Sequence, residues 1–151
     1  MEYKQAERKD LQIVYDIVQE AIATVYPKYY PKEVVAFFHE LHSMENIEKD
    51  IIDKRVGVLL DHDEVVGTGC YEHDHITRVY VRPAEQKKGY GSYIIKQLEK
   101  MISQTYPSVG LDASLPACHL YEQRGYQTIT HGRHLLEHGV VLVYEIMEKK
   151  F

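Results

Sequence analysis

The period of the apolar residues changes at Arg55, and that change restricts the fold more than any other feature of the chain. Before it, Leu11, Val14, Ile17, Val18, Ala21 and Ile22 recur at helical spacing, preceded by strand-like alternation from Glu2 to Glu7 and by Asp10, placed to cap the helix. Tyr26 to Pro31 is a proline-bracketed aromatic loop. Val34, Val35, Phe37, Phe38 and Leu41 then predict a second helix, and Ile47, Ile51 and Ile52 a short third. After Arg55 the runs are extended: Val56 to Leu60, a turn at Asp61 to Glu64, Val65 to Tyr71, then Ile76 to Val81, an antiparallel meander. Gly89 to Ile102 returns to a helix and Val109 to Ala113 is a strand. Pro116 to Gln123 is a short helix closed by Gly125, and two last strands follow around Tyr126 to Ile129 and Val140 to Met147. Strand, helices, three strands, helix, strand, helix, strands is the order of an α+β, or mixed α/β, sheet with helices on its faces.

The 151 residues contain no repeat and no Pro/Gly/Ser linker, which reads as a single domain spanning 1–151. A net charge of −5 offers no global field to a nucleic-acid backbone, so any anionic ligand must be held by a local arrangement of donors. No run approaches the roughly 20 apolar residues of a membrane span, and Met1 to Gln5 lacks the apolar stretch of a signal peptide. The expectation is a cytoplasmic protein with neither a nucleic-acid nor a membrane partner. Cys70 and Cys118 read as free thiols. The nine histidines include short spacings (His39 with His42, His73 with His75, His131 with His134 and His138), but none is a zinc signature, and no metal is expected. Thirteen tyrosines and no tryptophan are unusual.

The third extended run is irregular. Strict alternation from Ile76 would align Arg78, Tyr80 and Arg82 with it, yet the apolar pair is Val79 and Val81. A bulge near Thr77-Arg78 accounts for the change of parity; a strand buried on both faces, or an exposed Ile76, accounts for it as well. Arg78 and Arg82 are expected to be exposed strand cations.

That run leads into Arg82-Pro83-Ala84-Glu85-Gln86-Lys87-Lys88-Gly89-Tyr90-Gly91-Ser92 and the long helix. Gly89 and Gly91 allow torsions and close approach that side chains forbid, so successive N–H groups can converge on one anion, helped by the unpaired donors of the helix start. The segment is neither a Walker loop, lacking Gly-Lys-Ser/Thr, nor a Rossmann fingerprint, lacking the third glycine.

Gln86-Lys87-Lys88-Gly89-Tyr90-Gly91 after Val79-x-Val81-x-Pro83 resembles the acyl-CoA signature of the GCN5-related N-acetyltransferase (GNAT) superfamily, Gln/Arg-x-x-Gly-x-Gly/Ala. The block from Leu111 to Tyr126, a strand, an Ala-x-x-x-Tyr helix and a Gly-aromatic return, is similar to that family too. The resemblance implies a mostly antiparallel twisted sheet of about seven strands flanked by helices. It also implies transfer of an acetyl group from acetyl-CoA to a primary amine, in a small molecule or a peptide, by direct attack in a ternary complex. The alternative is a non-catalytic acyl-CoA binding or sensing domain.

By the same resemblance the CoA pyrophosphate would rest on the backbone of Gln86, Lys87, Lys88, Gly89, Tyr90, Gly91 and Ser92, and the pantetheine arm would run beside Val79, Tyr80 and Val81. The N–H near Val79 would face the thioester oxygen. Tyr121 takes the place of the family's general acid and His75 that of its base, with Glu72 and Asp74 as runners-up. Seven residues before Tyr121, where the family often has Asn, this chain has Ser114, whose hydroxyl replaces only part of an amide's hydrogen bonding toward the cofactor. Tyr29, Tyr30 and Phe38 fall where the family's variable helices close over the acceptor. The family often pairs through its C-terminal strands, and Val140 to Val143 leaves room for a homodimer, though a buried strand within one chain explains that run equally.

Overall fold

A computed structural model describing residues 1–151 runs β1 (Glu2–Gln5), α1 (Leu11–Val25), α2 (Lys32–Leu41), α3 (Met44–Ile52), β2 (Val56–Asp61), β3 (Glu64–Glu72), β4 (His75–Val81), α4 (Tyr90–Ile102), β5 (Ser108–Ala113), α5 (Cys118–Gln123), β6 (Gln127–Leu135) and β7 (Val141–Lys150). The strands form one sheet in the order β1-β2-β3-β4-β5-β7-β6. Its neighbours are antiparallel except β4 and β5.

Two layers of core cover the two faces. On one, Val14, Ile17, Val18, Ala21 and Ile22 of α1 pack with Ile47 and Ile51 of α3 against Val58, Cys70 and Tyr80. On the other, Ile94, Ile95, Leu98 and Ile102 of α4 cover Val66, Ile76, Val109, Leu111 and Met147. Each fully buried aliphatic side chain of this kind contributes roughly 1.5–3 kcal/mol of transfer free energy. Cys70 is buried, Cys118 half-buried, and both are free thiols.

Three local readings change. Asp10 precedes α1 without capping it; its carboxylate accepts the Glu7 N–H at 2.8 Å and closes a 3-10 turn over Arg8–Asp10, so the first strand stops at Gln5. The sixth strand runs on to Leu135, well past Ile129. It is an edge strand whose polar residues are exposed on both faces, so it carries no apolar alternation to betray its length.

The third change concerns Arg78. The register puts Cys70 opposite Arg78 but Tyr71 opposite Ile76, which makes Thr77 the extra residue of a bulge in β4. Across it the faces exchange: Ile76 lies in the α4 core, Tyr80 in the α1 core, and Val79 and Val81 pack back toward α4. Arg78 is therefore turned inward and is only 5% exposed, contrary to the expectation of a surface cation. Arg82 is half-buried, its Nη2 donating to the Val65 carbonyl at 3.0 Å.

Candidate functional site

β4 and β5 pair only at His75 with Gly110 and Ile76 with Leu111, with the Gly110 N–H also donating to the Asp74 carbonyl at 2.9 Å. Beyond Ile76 the two strands part, and the β5-facing edge of β4 from Thr77 to Val81 is left without a strand partner. At the end of that edge, Arg82 leads through a 3-10 turn into the Gly-rich loop.

The loop turns on two left-handed residues, Lys87 (φ 64°) and Gly89 (φ 86°), the second standing at the N-cap of α4. Tyr93 is the first residue of the helix to donate, to the Gly89 carbonyl; the N–H groups of residues 87 to 92 make no backbone hydrogen bond. A Cβ on Gly89 would project into open space. One on Gly91 would stand 3.4 Å from Leu120 Cδ2, in contact with α5. Free backbone donors at a helix start of this kind could hold an anion.

A groove of about 330 Å³ follows this edge, walled by Val79, Tyr80, Val81, Gln86, Lys87, Gly89, Tyr90, Gly91, Ser92 and Ser114. Lys88 stays outside it, paired with Glu85 at 2.8 Å. The Gln86 side chain donates to the Val81 carbonyl at 3.2 Å, and the Tyr90 hydroxyl donates to Asp61, which pushes the phenol up to about 12.

A second cavity, of about 580 Å³, opens between β4, α2, α3 and the β6–β7 hairpin. His75, Glu72, Tyr121 and Phe38 all line it. Tyr29 and Tyr30 line neither cavity. Tyr29 is 51% exposed. The Tyr30 hydroxyl instead accepts the Leu115 N–H at 2.6 Å and ties the aromatic loop to the turn after β5; burial first pushes its pKa up to about 12. Tyr26 takes the inward place: its hydroxyl lies 3.0 Å from that of Tyr80 and 3.3 Å from Ser114 Oγ. Tyr26, Val79, Tyr80, Ser114 and Ala117 belong to both cavities, so the groove and the larger cavity meet there.

Tyr121 is 6% exposed, its ring packed edge-on against Tyr126 at 5.4 Å, and burial holds its hydroxyl above the ordinary tyrosine range. It is protonated at neutral pH. Its helix is anchored by Glu99, buried on α4, which accepts from Arg124 (2.7 Å), Tyr126 (2.8 Å) and Lys149 (3.2 Å). Burial works to raise the Glu99 pKa, and these three donors outweigh it. His75 Nε2 lies 3.7 Å from Asp112 Oδ1, and Glu72 is 3.4 Å from Arg55. Asp74 contributes its backbone carbonyl to Gly110.

The larger cavity also holds a buried cluster that the sequence did not single out. Arg78 Nε donates to His42 Nδ1 at 3.1 Å and Nη2 to Asp50 Oδ2 at 2.9 Å, while the buried Nη1 has no partner. Burial, then the adjacent Arg78 charge, pushes His42 down to about 3, so the ring is neutral. Arg78 shares a face with Tyr80 whether or not the strand is bulged; the bulge at Thr77 turns that face away from Ile76 and toward the α1 side of the sheet. No group of three or more His, Cys, Asp or Glu side chains converges to hold a metal ion.

A family model described as Acetyltransferase (GNAT) domain matches residues 25–151. No curated protein matches the sequence. Among solved structures, a GCN5-related N-acetyltransferase from Rhodopseudomonas palustris superposes with a TM-score of 0.90 at 20% identity, over 99% of this chain and 95% of that one. The PaiA N-acetyltransferase of Thermoplasma acidophilum, in complex with coenzyme A, gives 0.77 at 16% identity, over 99% and 98%. A ribosomal-protein-alanine N-acetyltransferase from Brucella melitensis gives 0.71 at 15% identity, covering both chains completely.

Proposed function

The chain belongs to the GNAT acetyltransferase family, and on that premise we propose that it moves an acetyl group from acetyl-CoA to a primary amine by direct attack in a ternary complex. The observation that carries this reading is the shared wall of Tyr26, Val79, Tyr80, Ser114 and Ala117. A cofactor lying in the smaller groove and an amine in the larger cavity meet there with no side chain needed to ferry the acetyl group between them. That the similar Thermoplasma protein was solved with coenzyme A supports the assignment of the groove.

In this reading the amides of residues 87 to 92 hold the pyrophosphate, and the open edge of β4 pairs with the pantetheine arm. The Val79 N–H stands where negative charge grows on the thioester oxygen. His75, oriented by Asp112, accepts the proton that the acceptor ammonium must lose; Glu72 is the second candidate, with Arg55 beside its carboxylate. As the amine nitrogen bonds to the carbonyl carbon, the nitrogen loses its second proton to water, the carbon–sulfur bond breaks, and the Tyr121 hydroxyl gives its proton to the departing sulfur. Solvent returns a proton to Tyr121, and the one on His75 passes to solvent. The products are an amide and free CoA.

The test is the pH profile of CoA thiol release with a reactive amine. His75→Ala is expected to remove the acidic limb of kcat/KM, and Tyr121→Phe to lower kcat across the whole range. Unchanged profiles in both variants, with CoA still bound, would reject these roles. A protein that binds CoA tightly and acetylates no amine would be a sensing domain instead.

A further inference from the structure

We propose, building on the acetyl-transfer reading, that the acceptor carries a carboxylate as well as its amine, and that Arg78 receives that carboxylate. The side chain of Arg78 is 3% exposed and forms part of the wall of the larger cavity. A guanidinium presents five N–H donors; His42 and Asp50 each take one, and Nη1 is left buried without a partner. Arg cannot shed its proton to escape this situation, and donors buried without acceptors are destabilising. A planar carboxylate is the ligand whose two oxygens match the free side of such a fork.

The neighbours of Arg78 leave this charge only partly answered. His42 accepts at Nδ1 and is neutral, so it satisfies one donor without cancelling charge. Asp50 is the single carboxylate on the guanidinium, and it also faces Arg55 at 3.9 Å. Over the whole cavity Lys49, Arg55 and Arg78 are balanced by Asp50, Glu72 and Asp112. A zwitterion keeps that balance, with its ammonium toward Glu72, His75 and Asp112 and its carboxylate toward Arg78; a polycationic amine would upset it.

The experiment uses the full-length protein loaded with CoA or acetyl-CoA, and the series of ω-amino acids from glycine to 6-aminohexanoate, each against its carboxamide and the diamine of equal length. The lengths sample the separation between the amine and Arg78. At the best length, kcat/KM for the acid should exceed that for the amide and the diamine by about 30-fold, the scale of a charge-assisted hydrogen-bonded pair. Arg78→Lys should bring the acid-to-amide ratio close to one, whatever its absolute rates. Because that variant risks misfolding, calorimetric titration of the acids and amides into the CoA-loaded wild type carries the test independently: tighter binding of an acid supports the site. Acids and amides that bind equally, or diamines that react best, overturn it and leave acetyl transfer standing. Failure of every amine to turn over, with an acid still bound preferentially, rejects acetyl transfer and keeps the carboxylate site.

Discussion

The hydroxyls of Tyr26 and Tyr80 meet at 3.0 Å on the wall that the two cavities share, and Tyr26 reaches on to Ser114 at 3.3 Å. Both rings are buried, and the Tyr80 hydroxyl has Tyr26 as its partner while Tyr26 has Ser114 as well. Tyr26→Phe should cost about 1–3 kcal/mol in chemical denaturation by stranding the Tyr80 hydroxyl. The double variant with Tyr80→Phe should recover part of that loss. Strictly additive effects would show that the two hydroxyls do not interact.

Gly89 stands at φ 86° with open space before its missing side chain. Gly89→Val should leave a folded protein, destabilised by about 1–2 kcal/mol for the left-handed torsion. CoA affinity by calorimetry should fall more than about tenfold, since the branched side chain both fills the cradle and turns its amides. Wild-type affinity in this variant would remove the assignment of the loop.

Tyr121→Phe takes away a proton donor while keeping the packing against Tyr126. The expected result is a fall in kcat of about 100-fold, the lower range for general acid catalysis, with an unchanged Kd for CoA. Because burial holds the phenol above its ordinary range, the wild-type rate should show no loss from Tyr121 ionisation up to pH 10. A kcat within twofold of wild type would assign Tyr121 to packing alone.

Phe38 lines the larger cavity and Tyr29 does not. Phe38→Ala should therefore raise KM for the acceptor by severalfold and spare that for acetyl-CoA, whereas Tyr29→Ala should alter neither. An effect of Tyr29→Ala on the acceptor equal to that of Phe38→Ala would mean that the aromatic loop closes over the site in solution.

His42 is held neutral, with its pKa pushed down to about 3 in the folded state from an ordinary 6.5. Between those values the unfolded chain binds the extra proton, so stability rises with pH and is lost as pH falls through the unfolded value. From pH 7.5 to pH 5 this amounts to about 2 kcal/mol. His42→Gln, whose amide oxygen can still accept from Arg78, should flatten that slope by the same amount in parallel denaturation curves. Identical slopes would place a solvated, titrating imidazole at this position.

Most of the sheet was legible in apolar periodicity, and the bulge was one of the readings it left open: Val79 and Val81 stand out of step with Ile76, and the ladder slips at Thr77. The turn with free amides at the start of α4 was legible because Gly89 and Gly91 follow a strand and open a helix. Arg78 was not, since an arginine in a strand carries no local sign of burial, and its partner Asp50 lies 28 residues away on α3. Nor does spacing within Tyr26-Pro27-Lys28-Tyr29-Tyr30 tell which ring turns inward. That choice is made by Tyr80 and Ser114 for Tyr26, and by the Leu115 N–H for Tyr30. Exposed β6 shows the converse, a strand held by its pairing to β7 with no apolar signature of its own.

In the proposed reaction the two cavities bring acetyl-CoA and an amine together for direct transfer. Its most direct measurement is the release of CoA thiol from acetyl-CoA by the purified chain, across small amines, amino acids and lysine peptides. Release should require an acceptor, saturate with it, and yield one acetylated amine per CoA. CoA bound tightly in the groove, with release no faster in the presence of any amine than in its absence, would contradict direct transfer.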